Sequence, residues 1–362
     1  MTATPALFRP LTLRGTTFEN RVWLAPMCQF SVVEEDGVPG DWHLVHYAAR
    51  AVGGFGLVLA EATAVVPEGR ITPRDTGLWD DRQVAAWSRI LTVLHGLGAQ
   101  VGVQLAHAGR KGSTYWGWAG RGGTVSIDDG GWRAVAPSPV AFPGFDDPRA
   151  LATGELAGVA RAFGEAAVRA DRAGFDVVEV HAAHGYLLHQ FLSPLSNHRD
   201  DAYGGSLENR ARLLLEAVDA VRERWPEDKP VLVRFSASDW LDGGLTVGQV
   251  AEVAAWVGER GVDLVDVSTG GLLPAPIPAS ASYQVPHARA VRDRTGLPVS
   301  AVGLITRPEQ AEQILQEESA DVVMIAREAL RDPMWPRRAA HVLGASREAL
   351  PWPPQYERGA WG

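Results

Sequence analysis

Short apolar runs recur along the chain, and each is followed by a turn and then by a segment with helical spacing. The runs are continuous rather than alternating, which is typical of parallel strands buried on both faces. The eight runs are RVWLAPM (21–27), GLVLAEAT (56–63), VGVQLAHAG (101–109), FDVVEVHAAH (175–184), VLVRFSAS (231–238), VDLVDVSTG (262–270), LPVSAVG (297–303) and DVVMIARE (321–328).

The segments between these runs predict helices. Residues 155–174 are Ala-rich, with apolar positions at helical spacing, and end in the Ala-Gly pair of a helix stop. Residues 245–261 show the same pattern, as do residues 307–319, which have Pro308 near their first turn. Eight strands alternating with helices predict a single α/β domain over residues 1–362, a (β/α)8 TIM barrel.

The alternative fold is an open, doubly wound sheet. A dinucleotide-binding sheet of that kind carries a Gly-x-Gly-x-x-Gly motif after its first strand. No such motif follows the first run, so the pattern favours the barrel.

Two regions depart from the barrel repeat. Residues 112–150, directly after the third strand, are rich in Gly, Pro and Trp and too irregular for a helix. We expect a loop or lid over the catalytic face, and the alternative is a decorated surface loop. The tail, residues 351–362, is Pro-rich and carries Trp352, Tyr356 and Trp361. Exposed tryptophans are unfavourable, so we expect the tail to dock on another surface.

Composition narrows the function classes. The chain has 362 residues, 46% of them hydrophobic and 21% charged, with a formal net charge of -9 and a pI near 5.6. It contains no polybasic run and no apolar window of membrane-spanning length, so we expect neither nucleic acid nor membrane as a partner. The stretch MTATPALFRPLTLRG lacks the apolar core of a signal peptide, and we expect a cytoplasmic protein. The single cysteine, Cys28, excludes an intrachain disulfide and any metal site or iron–sulfur cluster held by four cysteines of this chain.

Polar residues are concentrated where the predicted strands end, which is where a (β/α)8 barrel carries its chemistry. Arg234 is the most informative, because an arginine within an apolar strand is costly unless an anion or strong acceptor meets it. Gln104 supports the same argument more weakly. The alternative for Arg234 is a structural ion pair with a carboxylate such as Glu61. The strand ends carry Pro26-Met27-Cys28, Glu61-Ala62-Thr63, Gln104, His107, Arg110-Lys111, His181, His184, Tyr186, Arg234, Ser268-Thr269-Gly270, Gly303 and Ala326-Arg327.

Gly303 and Arg327 follow the seventh and eighth strands, where many barrels bind a phosphate. A glycine allows backbone N–H groups to approach the anion, and the arginine adds a charged fork. We therefore expect a phosphorylated ligand whose other end lies over Arg234 and Gln104.

The histidine pair, His181 and His184, has three interpretations. In the first, the pair forms part of a metal site, although no third ligand is evident. It is structural, with both imidazoles satisfied by hydrogen bonds. Or the two imidazoles donate hydrogen bonds to one ligand oxygen, with Tyr186 positioned as an acid. Spacing alone does not choose among the three.

Six segments with distinctive motifs span nearly the whole chain: APMCQFS (25–31), EATAVVPEGRIT (61–72), QLAHAGRK (104–111), HAAHGYLLHQFLSPLSNHRDDAYGGSLENR (181–210), VRFSASD (233–239) and QYERG (355–359). In this order they resemble those of the old yellow enzyme family of flavin-dependent ene-reductases, most closely its bacterial branch with a cysteine near the flavin. The family fold is a (β/α)8 barrel with FMN at the carboxyl face, which agrees with the strand pattern. Segment 181–210 is the most specific match.

The resemblance implies a set of residues around noncovalent FMN. Gln104 would bond the pyrimidine edge of the flavin, and Arg234, assisted by Lys111, would face its N1–O2 side. The residues after the seventh and eighth strands would hold the phosphate. The full set is Ala25, Pro26, Met27, Cys28, Ala62, Gln104, Lys111, Arg234, Gly303, Ala326 and Arg327.

The resemblance also implies a two-step reaction. NADPH, with NADH as an alternative donor, would reduce FMN and leave, and an α,β-unsaturated aldehyde, ketone, maleimide or nitroalkene would bind over the same face. His181 and His184 would hold its activating oxygen, hydride would reach the β-carbon, and Tyr186 would protonate the α-carbon. Cys28 would tune the flavin and touch ligands without acting as a nucleophile.

Two positions depart from the family pattern. Phe30 stands where the branch often has a tyrosine that points at the substrate, so one hydroxyl is missing. Ala326 stands where a glycine usually precedes the phosphate-binding arginine, which is tolerable if the φ angle of Ala326 is negative.

The tail motif QYERG implies a shared active site. In this branch a C-terminal arginine or tryptophan reaches into the neighbouring subunit's site, which makes Arg358 the first candidate substrate-binding residue of the tail and Trp361 the second. The resemblance therefore implies a homodimer, or a tetramer built from dimers. The alternative is a tail packed on its own barrel.

Three other functions compete with this one. A barrel like that of dihydroorotate dehydrogenase would need a catalytic motif other than HAAHGY. Dienoyl-CoA reductase relatives add a cysteine-rich cluster region, which a single cysteine forbids. The non-enzymatic alternative is a flavoprotein that senses redox state through Cys28 without turnover.

Overall fold

The structure, a computed structural model, describes residues 4–361. Over this range eight parallel strands close into a barrel in chain order, and the last strand pairs with the first. Each strand begins inside one of the eight apolar runs, so the predicted (β/α)8 fold is confirmed. The strands are β1 (Val22–Leu24), β2 (Leu57–Ala64), β3 (Val101–Ala106), β4 (Val177–Ala182), β5 (Val231–Ser236), β6 (Leu264–Ser268), β7 (Val299–Ala301) and β8 (Val322–Ile325).

The helices lie outside the barrel, at least one after each strand. Within the described range they are α1 (Asp41–Gly53), α2 (Asp81–Gly96), α3 (Thr153–Ala173), α4 (Leu187–Leu192), α5 (Leu207–Arg224), α6 (Val247–Gly258), α7 (Val285–Thr295), α8 (Pro308–Gln316), α9 (Arg327–Arg331) and α10 (Trp335–Val342).

Helix α3 shows how local sequence sets these elements. Its buried residues include Leu156, Ala160, Phe163 and Ala167, a spacing of three and four that forms one apolar stripe. The helix ends at Gly174, whose φ of 103° is a left-handed conformation that glycine adopts without a side-chain clash.

The core has two parts, one on each side of the strands. Outward-facing strand residues pack against the helices in one large cluster. A smaller cluster fills the barrel interior towards its amino-terminal end, which a hairpin of Leu11–Leu13 and Thr16–Phe18 closes. The Phe18 ring centre lies 4.5 Å from that of Trp23. The members of this interior cluster are Leu13, Phe18, Trp23, Ala25, Leu57, Leu59, Val177, Leu232, Leu264, Val302, Val322 and Met324.

Residues 112–150, called here the long loop, contain no α-helix, as the sequence predicts. They hold a 3-10 turn at Ile127–Asp129 and a short parallel pairing of Val135–Ala136 with Arg149–Ala150. The loop packs on the segment that follows β2: the Trp132 indole donates to the carbonyl of Glu68 at 2.8 Å.

The tail ends against its own chain. Residues Pro354–Gly359 form a 3-10 helix, and the Trp361 ring stacks on His341 of α10 at 5.4 Å between centroids. Tyr356 and Arg358 are exposed. The docking of the tail on a neighbouring subunit stays a prediction.

None of the helices between residues 4 and 361 combines the length and the apolar character that a membrane-spanning segment needs.

Candidate active site

Strand register brings polar side chains together at the carboxyl end of the barrel. Gln104 on β3 lies opposite Glu179 on β4. His181, also on β4, lies opposite Arg234 on β5, and Arg234 lies opposite Asp266 on β6. A row of buried polar residues therefore crosses four neighbouring strands.

Arg234 and Asp266 form a buried ion pair. Arg234 Nε lies 2.8 Å from Asp266 Oδ2, although the two atoms are not aligned as a hydrogen bond. The other carboxylate oxygen accepts from Ser300 Oγ at 2.5 Å. Among residues 4–361 the terminal guanidinium nitrogens of Arg234 have no hydrogen-bond partner, and Arg234 lines the cavity at this end of the barrel. The Nε edge of the Arg234 guanidinium is thus paired with a carboxylate, and its terminal nitrogens are available to a ligand.

The alternative interpretation of Arg234, a structural ion pair with a carboxylate, is thus found with Asp266, whereas the prediction of Glu61, the carboxylate named as an example, is wrong. The register between β2 and β3 shifts at Glu61, which makes it the extra residue of a bulge and turns its side chain towards α1. Its carboxylate there accepts hydrogen bonds from Tyr47 Oη at 3.1 Å and from Gln29 N at 2.7 Å. Burial raises the pKa of Glu61 to about 8, although these hydrogen bonds oppose the shift.

Gln104 and Glu179 form the other buried pair of the polar row. Gln104 Nε2 donates to Glu179 Oε1 at 2.7 Å, while Glu179 Oε2 has no partner among the described residues. Burial raises the pKa of Glu179 to about 8; Asp266 adds to this effect and Arg234 opposes it. The protein alone therefore leaves part of this row unsatisfied.

The sequence pattern singles out neither Glu179 nor Asp266, and both belong to the site. The sequence could have identified both, because each is a carboxylate flanked by valines inside an apolar run, VEV and VDV. Such a residue is costly to bury unless it is paired.

His181, His184 and Tyr186 lie together, as the third interpretation of the motif requires. The His181 ring centre is 5.3 Å from that of His184 and 5.0 Å from that of Tyr186. Burial, and then the charge of Arg234, lower the pKa of both imidazoles well below 6.5, so both are neutral. Each neutral ring has one N–H to donate. In the described part of the chain, no group of three side chains is arranged to hold a metal.

Tyr186 keeps its proton at neutral pH. Burial raises the pKa of its hydroxyl well above 10, with smaller contributions from Cys28 and Asp75, and Arg234 opposes the shift. Tyr186 is half-buried, and a phenol that stays protonated can serve as a proton donor.

A cavity of about 240 Å³ extends from Arg234 to the ends of β7 and β8. Gly303 in its wall has a φ of 117°, and a Cβ at this position would lie 2.6 Å from Gln284 Nε2, so the position requires glycine. Ala326 has the negative φ that an alanine needs, -106°, but its ψ of -102° lies outside the usual α and β regions. The predicted phosphate residues thus share one cavity with Arg234. Its lining includes Arg234, Ser268, Gln284, Gly303, Ala326 and Arg327.

Cys28 and Phe30 lie on the loop between β1 and α1. Burial raises the pKa of the Cys28 thiol well above 9, and Asp75 and Glu61 raise it further. A protonated thiol is a poor nucleophile. Phe30 has a φ of 48°, and its ring centre lies 6.1 Å from that of Trp118. Trp118 brings the long loop to the edge of the site, a contact that the sequence pattern does not predict.

The other predicted flavin-lining residues lie where β1 and β2 end. Ala25 N donates to the carbonyl of Ile325 at 3.0 Å, which extends the pairing of β1 with β8. Ala62 is buried just after the bulge in β2, and Pro26 and Met27 are half-buried in the loop that follows β1.

Lys111 lies at the site, but its amino group is bonded to protein. Nζ donates to the carbonyl of His184 at 2.9 Å and to that of Gly271 at 3.0 Å. Burial, and then the charge of Arg110, lower the pKa of Lys111 to about 8. A contact of Lys111 with the N1–O2 side of a flavin stays a prediction. Arg358, by contrast, is exposed on the tail and makes no hydrogen bond or ion pair within residues 4–361.

Comparisons with known proteins find relatives along nearly the whole chain. The profile of the NADH:flavin oxidoreductase / NADH oxidase family matches residues 6–345. The chain is 46% identical, over 354 residues and 98% of both chains, to an NADPH dehydrogenase of Geobacillus thermodenitrificans.

Two solved structures are also similar to this chain. Morphinone reductase is 31% identical with a TM-score of 0.80, and the match covers 95% of this chain and 91% of that one. The old yellow enzyme homologue from Zymomonas mobilis is 26% identical with a TM-score of 0.79, and the match covers 99% and 100% of the two chains. The similarity therefore extends over the whole barrel.

Proposed function

The chain belongs to the NADH:flavin oxidoreductase / NADH oxidase family, and we propose that it is an ene-reductase acting on activated alkenes. It is an FMN-dependent NAD(P)H oxidoreductase of the old yellow enzyme type. Its proposed substrates are α,β-unsaturated aldehydes, ketones, maleimides and nitroalkenes. NADPH is the proposed electron donor, because the Geobacillus relative is an NADPH dehydrogenase.

The residues at the barrel mouth fit FMN. Arg327 and the bare backbone of Gly303 suit a phosphate at one end of the cavity. The free guanidinium edge of Arg234 lines the same cavity and suits the polar edge of an isoalloxazine ring. We propose that the amide of Gln104, in the same polar row, bonds this edge as well. The Arg234 guanidinium and the unpartnered Glu179 Oε2 are buried, which is costly unless a ligand or water meets them.

Bound FMN supplies the redox chemistry, by which two electrons and one proton equivalent pass from NADPH to the β-carbon of the alkene. With the proton added at the α-carbon, the balance is one alkene, one NADPH and one H⁺ giving one saturated product and one NADP⁺.

His181 and His184 bind the activating oxygen of the alkene. Ser268 Oγ lies 2.8 Å from His184 Nε2 and 3.1 Å from Gln284 Oε1, and that amide oxygen also accepts from Thr269 Oγ1 at 2.8 Å. We propose that Ser268 Oγ donates to His184 Nε2 when substrate is bound, while Thr269 alone bonds Gln284. The ring proton of His184 is then on Nδ1, which donates to the substrate. Two neutral donors aimed at one oxygen stabilise the negative charge that develops there as hydride arrives at the β-carbon.

Tyr186 provides the second proton. Its hydroxyl stays protonated, and the α-carbon gains carbanion character once the β-carbon has been reduced. Transfer from Oη to that carbon completes the reduction, and solvent returns the proton to the phenolate, which burial disfavours.

One observation carries this proposal: two neutral imidazoles and a protonated Tyr186 lie at the same barrel mouth as the cavity of Arg234 and Arg327. The test is an anaerobic titration of the purified protein. NADPH is expected to bleach the yellow flavin, and 2-cyclohexenone to restore its colour. If NADPH bleaches the protein but no enone, maleimide or nitroalkene recolours it faster than buffer, the chain is not an ene-reductase.

We further propose that the tail completes the site of a neighbouring copy in a homodimer or tetramer. A groove of about 690 Å³ runs outward from Cys28. Its walls carry the exposed apolar side chains of Trp42, Val45, Trp118 and Leu330. A partner's tail laid in this groove would cover these side chains and bring Arg358 towards Cys28.

Removing residues 355–362 tests the shared site. The truncated protein is expected to have a smaller mass in solution and a higher KM for cyclohexenone. A native mass together with native kinetics would show that the tail is only a terminus.

A further inference from the structure

Two left-handed turns pack against each other at the mouth of the barrel. His184 and Gly185, after β4, have φ angles of 59° and 74°; Gly270 and Gly271, after β6, have φ angles of 70° and 89°. A Cβ on Gly271 would lie 2.7 Å from His184 Cα, and one on Gly185 would collide with the carbonyl oxygen of Gly271. His184 is the strained member, because a side chain in this region is unfavourable unless its surroundings hold it there.

Two side chains bridge these turns. Lys111 Nζ donates to the carbonyl of His184 at 2.9 Å and to that of Gly271 at 3.0 Å. Ser236 Oγ accepts from His184 N at 2.9 Å and donates to the carbonyl of Gly270 at 2.8 Å. Both backbone polar groups of His184 are thereby bonded to the same pair of side chains, called here the clasp.

The sequence supports a special role for lysine at this position. Lys111 and Lys229 are the only lysines among 34 lysine and arginine residues. A compact ammonium can donate in two directions to two carbonyls, which the planar fork of arginine does less well. Lys229 makes a similar bridge elsewhere: its Nζ donates to the carbonyl of Phe175 at 2.9 Å and to Asp171 Oδ1 at 2.7 Å.

The clasp lies beside the groups that act on the alkene. Tyr186 directly follows the turn, and its ring centre lies 5.2 Å from Lys111 Nζ. Any movement of the His184–Gly185 backbone therefore displaces an imidazole and the phenol together.

We propose that Lys111 and Ser236 are positioning residues, which hold His184 and Tyr186 in one geometry by fixing the β4 turn to the β6 turn. This role rests on the proposed ene-reductase function, whereas the clasp itself does not. It assigns the amino group of Lys111 to the protein rather than to the cofactor.

Hydrogen–deuterium exchange of the FMN-bound protein tests the clasp without reference to catalysis. Lys111→Met and Ser236→Ala are each expected to speed exchange in both turns, 183–187 and 269–273. Lys229→Met is the matched control, and it is expected to speed exchange near 171–176 only. Unchanged exchange in the two turns of Ser236→Ala, which alters little volume, would overturn the clasp even if Lys111→Met does not fold.

Steady-state kinetics per bound FMN then test the positioning role. Both clasp variants are expected to lower kcat/KM for 2-cyclohexenone about 10- to 100-fold, the cost of misplacing a catalytic group by about 1 Å. The double variant is expected to lose less than the product of the two single losses, because both act on the same turn. A merely structural role would reduce the amount of folded holoenzyme and leave kcat per FMN and KM unchanged.

The outcomes separate the two hypotheses. Faster exchange in both turns with wild-type kcat/KM would overturn the positioning role and leave a structural bridge. If the wild-type enzyme reduces no activated alkene, the proposed function fails by itself, and the positioning role fails with it, while the exchange comparison still decides whether the clasp exists.

Discussion

Leu232 and Arg234 lie two residues apart on β5 and face the same barrel interior, but they belong to opposite layers. Leu232 is part of the apolar cluster that fills the amino-terminal half, and Arg234 is part of the polar row at the carboxyl end. Neighbouring strands make the same step, from Val177 to Glu179 on β4 and from Leu264 to Asp266 on β6.

The two layers contribute differently to the folded state. The apolar layer stabilises the fold by burial alone and needs no partner. The polar layer buries charges, each of which costs free energy unless it is paired, and it keeps unpartnered atoms such as Glu179 Oε2. We infer that the apolar layer maintains the barrel. We also infer that the hydrogen-bonding groups of the polar layer are all satisfied only when its cofactor is bound.

Arg234→Met should have the largest effect, because it leaves Asp266 and Glu179 buried without their cation. The expected cost is about 3–5 kcal/mol of unfolding free energy, together with loss of FMN binding. Chemical unfolding and FMN titration measure the two effects. Arg337→Met is the matched control: Arg337 is also buried, but within residues 4–361 it donates only to the carbonyls of Val52 and Pro351. If both variants lose FMN equally, the charge of Arg234 is not specific to the site.

Leu232→Ala changes the apolar layer and leaves the polar layer intact. Removing this buried side chain should cost about 2–5 kcal/mol of unfolding free energy, because it opens a cavity in the apolar layer. The Kd for FMN, measured on the folded fraction, should stay near the wild-type value. An FMN affinity that falls in proportion to stability would show that the two layers are not separable.

Arg327→Ala tests the end of the cavity that is proposed to bind the phosphate. Loss of one charged hydrogen bond to a phosphate should weaken FMN binding by about 1.5–3 kcal/mol. Stability of the FMN-free protein should change little, because Arg327 has no carboxylate partner among residues 4–361. Full FMN affinity in the variant would exclude Arg327 from the phosphate site.

Glu61, which the bulge turns out of the barrel interior towards α1, should make stability depend on pH independently of the two layers. Burial raises the pKa of Glu61 from its ordinary value of 4.5 to about 8, so the folded chain holds a proton that the unfolded chain releases. Stability therefore falls as pH rises between these values, by up to about 1.4 kcal/mol per pH unit from this group. Glu61→Gln should flatten the profile between pH 5 and 8, as unfolding in urea at several pH values will show. Leu232→Ala should shift the whole profile without changing its slope. Parallel profiles for wild type and Glu61→Gln would contradict the assignment.

The sequence is sufficient to predict the barrel and the end that carries the site. Eight apolar runs locate the strands, and the polar residues that follow them meet at one face because all eight strands run in the same direction. The motif around His181 and Tyr186 then indicates the chemistry.

Side-chain contacts that depend on strand register cannot be predicted from the sequence pattern in this way. Asp266 meets Arg234 because β5 and β6 pair in one particular register, whereas the bulge at Glu61 removes the carboxylate that simple alternation would place in the interior. The contacts of Lys111 likewise depend on two turns whose close packing no local pattern encodes, and Trp118 reaches Phe30 only through the path of the long loop.

The central claim is that the polar layer at the carboxyl end of the barrel is an ene-reductase site with Tyr186 as its acid. Anaerobic stopped-flow absorbance on Tyr186→Phe tests this claim most directly. Flavin reduction by NADPH should proceed at nearly the wild-type rate. Reoxidation by 2-cyclohexenone should slow about 10²- to 10⁴-fold, the usual contribution of a general acid, and nitroalkenes, whose reduced anions are already stable, should be affected least. Equal slowing of both half-reactions, or unchanged reoxidation by cyclohexenone, would contradict the account.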